Sequence, residues 1–82
     1  MPTVLVQDDF HIRIYLPPRE HTPPHVHVVR AGGEIVVALG DADVAPAILE
    51  IHGMRSRDVV RAYRLVEGNK KMLLRAWRRY HE

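Results

Sequence analysis

The stretch His25-Val26-His27-Val28-Val29-Arg30-Ala31-Gly32-Gly33-Glu34-Ile35-Val36-Val37-Ala38-Leu39 decides the fold, because it sets two apolar alternations around a pair of glycines. Val26 and Val28 fall on one face of a strand, and His25, His27 and Val29 on the other. Ile35, Val37 and Leu39 share one face of a second strand. Gly32-Gly33 between them predicts a two-residue hairpin, whose turn needs positive φ. Such a turn pairs Ala31 with Glu34, Val28 with Val37 and Val26 with Leu39, and it sets His27 opposite Ala38. Every apolar partner then shares a face, whereas a slip of one residue would scatter them.

The alternation continues upstream. Phe10, Ile12, Ile14 and Leu16 point one way, and His11, Arg13 and Tyr15 the other, so residues 10–16 read as a half-buried strand. Pro17 and Pro18 end it, since proline gives a ladder no donor. Val4-Leu5-Val6, closed by Gln7-Asp8-Asp9, predicts a first strand over 3–6. The strands of the hairpin are expected over 25–31 and 34–39. Residues 41–53 read either as a short helix capped by Asp43 or as an irregular loop, with Val44, Ile48 and Ile51 at helical spacing and Gly53 as terminator. From Ser56, a plausible N-cap, Val59, Tyr63, Val66, Lys70, Leu73, Trp77 and Tyr80 recur at alternating four and three. The phase crosses Gly68-Asn69 unchanged and predicts one helix over 56–81. The expected fold is α+β: one domain over 1–82, an antiparallel sheet of about four strands with a long C-terminal helix packed on one face.

Eighty-two residues, 46% of them apolar, suffice for one small core and are too apolar for a disordered tail. Without cysteine the chain has no disulfide framework, thiolate chemistry or cysteine-built zinc site. No apolar run approaches the roughly 18 residues of a membrane span, and the N-terminus lacks the pattern of a signal peptide, so a cytoplasmic protein without a membrane role is expected. Charge is unevenly spread. Residues 1–54 carry three arginines against seven acids, a net of −4, and residues 55–82 carry nine Lys and Arg against three acids, a net of +6; the halves total +2.

Two constellations can carry chemistry. The first is His21-Thr22-Pro23-Pro24-His25-Val26-His27-Val28. His25 and His27 leave one strand face, the prolines stiffen the approach to them, and His11, Arg13 and Tyr15 stand on the same face of the preceding strand. As a nuclease site that needs no cofactor, one imidazole would serve as base and another as acid, with Arg13 stabilising phosphate charge and Tyr15 donating to it. As a metal site, His21, His25 and His27 would bind zinc or nickel, or copper or iron, in a facial set. In the expected register Glu34 lies four residues from the partner of His27, roughly 13 Å along the strand, too far to assist. A protonatable contact surface for an acidic partner is a third reading, and a solvated sheet face is the bland one. The series His25-Val26-His27-Val28-Val29 lacks the third alternate histidine of the histidine-triad nucleotide hydrolases, since Val29 stands in its place.

The second constellation is a basic stripe. Arg57, Arg61, Arg64, Lys71, Arg75 and Arg78 follow the rhythm of the apolar line displaced by two residues, about 200° of turn, and so run opposite it. Such a row would bind nucleic acid through its phosphates or an acidic protein partner; a solvated face is the alternative.

Together these features resemble a family of small, mostly bacterial domains of unknown function defined by a His-x-Pro-Pro-His-x-His-Val core. The matching elements are Met1-Pro2-Thr3-Val4, the strand from Phe10 to Tyr15, His21 to Val28, and Leu73-Leu74-Arg75-Ala76-Trp77 with Tyr80. Asp41 to Met54 departs from the family pattern. The resemblance implies a small partner protein encoded nearby, as in toxin–antitoxin-like pairs. RNA and a second copy of the chain are further candidate partners. On this reading the chain is a component of such a module that binds or cleaves RNA through its histidine face, and the alternative is a non-catalytic metal-binding or regulatory interaction module.

Overall fold

The computed structural model describes residues 2–16 and 23–81. Five strands follow in chain order: β1 (Thr3–Gln7), β2 (Phe10–Arg13), β3 (His25–Arg30), β4 (Gly33–Ala38) and β5 (Ala47–His52). Two helices, α1 (Ser56–Gly68) and α2 (Lys70–His81), complete the chain. Each strand lies beside its neighbour in sequence, and each pairing is antiparallel. The fold is α+β, with the core on one face of the sheet.

Alternation places that core. Phe10 and Ile12 of β2, Ile14 just beyond it, Val26 and Val28 of β3, and Ile35, Val37 and Leu39 of the β4 segment are all buried. Val59, Ala62 and Val66 of α1 and Leu73 and Trp77 of α2 join the same cluster. Each buried Val, Leu, Ile or Phe contributes roughly 1.5–3 kcal/mol relative to exposure. The extended backbone of β2 runs past Arg13, where the Ile14 amide donates to the Pro2 carbonyl at 3.1 Å.

The hairpin register differs from the expected one by two residues. Arg30 pairs with Gly33, Val28 with Ile35, Val26 with Val37, His27 with Val36 and His25 with Ala38. The turn residues are Ala31 and Gly32, at φ of 49° and 82°, and Gly33 is the first residue of β4. A two-residue shift keeps every side chain on its face, so the faces hold while the partners change. The cause lies twenty residues away: a Cβ on Gly33 would meet the Gly53 carbonyl oxygen at 2.7 Å and the Met54 Cα at 2.9 Å. Gly33 is thus reserved for close backbone approach, and Ala31 takes the left-handed turn position instead.

The region 41–53, expected as a short helix or loop, contains a fifth strand. Asp41, not Asp43, organises its approach: its Oδ1 accepts the amides of Asp43 and Val44 at 2.8 and 3.0 Å. Ala47–His52 then pairs along β4, whose outer backbone groups would otherwise lie unpaired at an edge. The single long helix expected over 56–81 is divided at Asn69, at φ −118° and ψ 18°. Its side-chain amide donates to the Leu65 carbonyl at 2.8 Å, and its own carbonyl accepts the Leu73 amide at 2.9 Å. The interruption is one residue wide, which is why the apolar phase survives it. The N-cap of α1 is Arg55 rather than Ser56, and it makes no side-chain capping bond.

Candidate histidine site

Rows running across the sheet assemble the site on the face opposite the core. In one row Arg13 stands beside His27, His27 beside Val36 and Val36 beside Glu50. In the next, His11 stands beside Val29, Val29 beside Glu34 and Glu34 beside His52. Antiparallel neighbours lie diagonally within reach of long side chains. The two-residue shift therefore brings Glu34 next to His27, where the separation expected from sequence was roughly 13 Å.

The His27 Nδ1 lies 2.7 Å from Glu34 Oε2, with the His27 side chain 12% and the Glu34 side chain 33% exposed. A carboxylate accepts, so this contact puts a ring proton on Nδ1. The same logic applies to His25, whose Nδ1 lies 3.0 Å from the Pro23 carbonyl. A carbonyl cannot donate, so His25 also carries its proton on Nδ1. The prolines ahead of the strand thus do more than stiffen the chain: one of them supplies an acceptor that sets a tautomer.

Aromatic contacts hold the rings. Tyr15 meets His27 edge-on at 4.1 Å between centroids, and His25 and His27 stand 5.3 Å apart. His25 lies 5.1 Å from Trp77, which stacks on His81 at 3.7 Å. His81 Nε2 donates to the Tyr15 carbonyl at 2.9 Å, tying the end of α2 to the end of the β2 segment. The structure therefore brings together Tyr15, His25 and His27, with Arg13 in register beside them and His11 one row removed. His21 lies outside the described residues. Sequence reasoning missed Glu34, Trp77 and His81. Of these, the Trp77–His81 pair was visible as a one-turn helical spacing. Glu34 was hidden by the register.

Among the described residues, no three His, Asp or Glu side chains are placed to hold a metal ion. The metal reading with His21, His25 and His27 involves a residue outside that description.

All six residues of the basic stripe are exposed, but Asn69 splits it. Arg61 lies over the Phe10 ring at 5.4 Å and 3.7 Å from Asp58, and Asp58 also pairs with Arg30 at 3.0 Å. Arg61 and Arg64 border a hollow beside the β1–β2 turn. Lys71, Arg75 and Arg78 instead line a cavity of about 730 Å³ that also contains Pro23, Pro24 and Ala38. Pro23 and Pro24 lead into His25, and Ala38 is its register partner, so this cationic cavity borders the histidine face. No helix is long and apolar enough to cross a membrane among the described residues.

Comparison with curated proteins and with solved structures returned no match. Comparison with protein families matched residues 10–78, from the first strand of the core to the basic end of α2. With a match extending over most of its length, the chain belongs to the family described as Domain of unknown function (DUF4160).

Proposed function

We propose that this chain is a component of a toxin–antitoxin-like module, binding a small partner protein and acting on RNA through its histidine face. The observation that carries this reading is the pair His25 and His27, each ring held with its Nδ1 against an acceptor, the Pro23 carbonyl oxygen for His25 and Glu34 Oε2 for His27. Glu34 orients His27 as a carboxylate orients the imidazole of a general base. The rings stand 5.3 Å apart, close enough for both to reach oxygens of one phosphodiester.

In this reading His27 Nε2 takes the proton of a ribose 2′-hydroxyl as its oxygen attacks the adjacent phosphorus. His25, as imidazolium, gives a proton to the departing 5′-oxygen. A 2′,3′-cyclic phosphate and a 5′-hydroxyl result, with no metal or redox partner required by the bookkeeping of protons. Arg13 would offset charge on the phosphoryl oxygens. Lys71, Arg75 and Arg78, along the neighbouring cavity, would hold the flanking phosphates.

The test is cleavage of an oligoribonucleotide by the purified protein, together with growth on inducible expression with and without the neighbouring gene product. His27→Ala is expected to lower cleavage by about 10²–10⁴-fold, the usual weight of a positioned acid or base, and to relieve any growth arrest. Unchanged cleavage or growth arrest in a folded His25→Ala/His27→Ala protein would remove the histidines from the mechanism.

A further inference from the structure

The two edges of the sheet are unlike. β1 ends in polar Gln7 and shows one strongly exposed apolar residue, Val6. β5 is exposed along its whole length, and Ile48, Leu49 and Ile51 are 38%, 55% and 53% exposed. Its outer backbone groups have no strand beside them among the described residues. Val60, exposed on α1, adds apolar surface in the helical layer. A long, apolar, unpaired edge is the feature that soluble folds ordinarily blunt with charge, proline or a covering element.

We propose that two copies of this chain join antiparallel along β5, with Ile51 of one copy opposite Ile51 of the other. Charge and ladder geometry select this register. A two-fold axis perpendicular to the sheet must pass beside one residue, which then faces its own copy. Centring on Glu50 would set two carboxylates face to face, which is destabilising. Centring on Leu49 would place the axis at the irregularity of β5, where Val36 pairs with Glu50 and Val37 with Ile48, leaving Leu49 without an opposite residue. Centring on Ile51 puts each Glu50 opposite the other copy's His52. These two side chains already meet at 2.7 Å within one strand, so the four groups would alternate in a square of carboxylate and imidazole. Ile51, opposite buried Ile35 in the ladder, lies on the helical side of the sheet and is 53% exposed, so its apolar surface is open to its copy.

The dimer is a continuous ten-stranded sheet, and its symmetry presents both histidine faces on the same side. This assembly stands apart from the RNA reading: it requires only β5.

The chain has no cysteine, so single introduced cysteines report the register directly. Leu49→Cys, Glu50→Cys and Ile51→Cys are oxidised separately, and the covalent dimer is measured. Ile51→Cys is expected to cross-link far faster than the other two. Light scattering of the unmodified protein is expected to give twice the 9.4 kDa chain mass. Ile51→Lys, at an exposed position that does not disturb the core, is expected to weaken association at least about tenfold while leaving the circular dichroism spectrum unchanged. A monomer at all concentrations would overturn the proposal, as would equal or faster cross-linking at position 49 or 50. A complex seen only with a different protein seated on β5 would also overturn it.

Discussion

The two faces of the β3–β4 ladder share one register and one set of backbone hydrogen bonds, yet they are held in different ways. Toward the helices, Val26, Val28, Ile35 and Val37 are fully buried, and their contacts are numerous and non-directional. On the opposite face, His25, His27 and Glu34 are partly covered and held by directed contacts: an acceptor for each ring Nδ1, and aromatic edges at fixed distances. The first face tolerates any side chain of the right volume and hydrophobicity. The second specifies individual atoms. Stability should therefore reside on the first face and chemistry on the second, a division that mutation can break.

The largest effect on stability is expected from Ile35→Ala, which leaves a cavity in the packed face and should cost about 2–5 kcal/mol by urea denaturation. A loss below about 1 kcal/mol would place the stabilising contacts elsewhere. Gly33→Ala sits between the faces, at the backbone contact with Gly53 and Met54, and should cost about 1–3 kcal/mol because backbone must move to admit a methyl group. A neutral result would mean that the approach of the two backbones does not set the register. Glu34→Gln keeps an acceptor for His27 but removes the carboxylate charge. Its stability cost should stay near that of one hydrogen bond, about 0.5–1.5 kcal/mol, while RNA cleavage falls by a larger factor. Equal losses in stability and cleavage would make the histidine face a structural one. The smallest change, and the only favourable one, is Ala31→Asn: asparagine suits the left-handed turn position that Ala31 holds at φ 49°, and a gain of about 0.5–1 kcal/mol in the midpoint-derived stability is expected.

The same contrast explains what could be read in advance. Period-two alternation in Phe10–Ile14, Val26–Val28 and Ile35–Leu39 exposed three strands and their inner faces, because facing is a local property of an extended chain. The pairing of partners was not local. Gly32-Gly33 and Ala31-Gly32 are both admissible turns, and the choice rests on Gly53 lying against Gly33. That choice also hid Glu34 from the site, since a shift of two residues changes a cross-strand distance by roughly 7 Å without changing any face. β5 was obscured for a related reason. Ile48, Leu49 and Ile51 straddle an irregularity in the ladder and so show no clean alternation, while Val44, Ile48 and Ile51 match a helical spacing by coincidence. The site was legible as a set of histidines with Arg13 and Tyr15, and illegible as a network, because Trp77 and His81 arrive from the far end of the chain.

The amino-acid order by itself fixed the composition of the two sheet faces, the amphipathic phase of residues 56–81 and the segregation of positive charge into that segment, since each follows from spacing along a few turns or residues. Only the tertiary structure decided that residues 47–52 add a fifth strand at the edge of the sheet, that the hairpin turns at Ala31-Gly32, and that Glu34 meets His27. Those outcomes depend on groups distant in sequence meeting along the β4 edge and at the close approach of Gly33 to Gly53 and Met54, and packing decides such meetings where local preference does not.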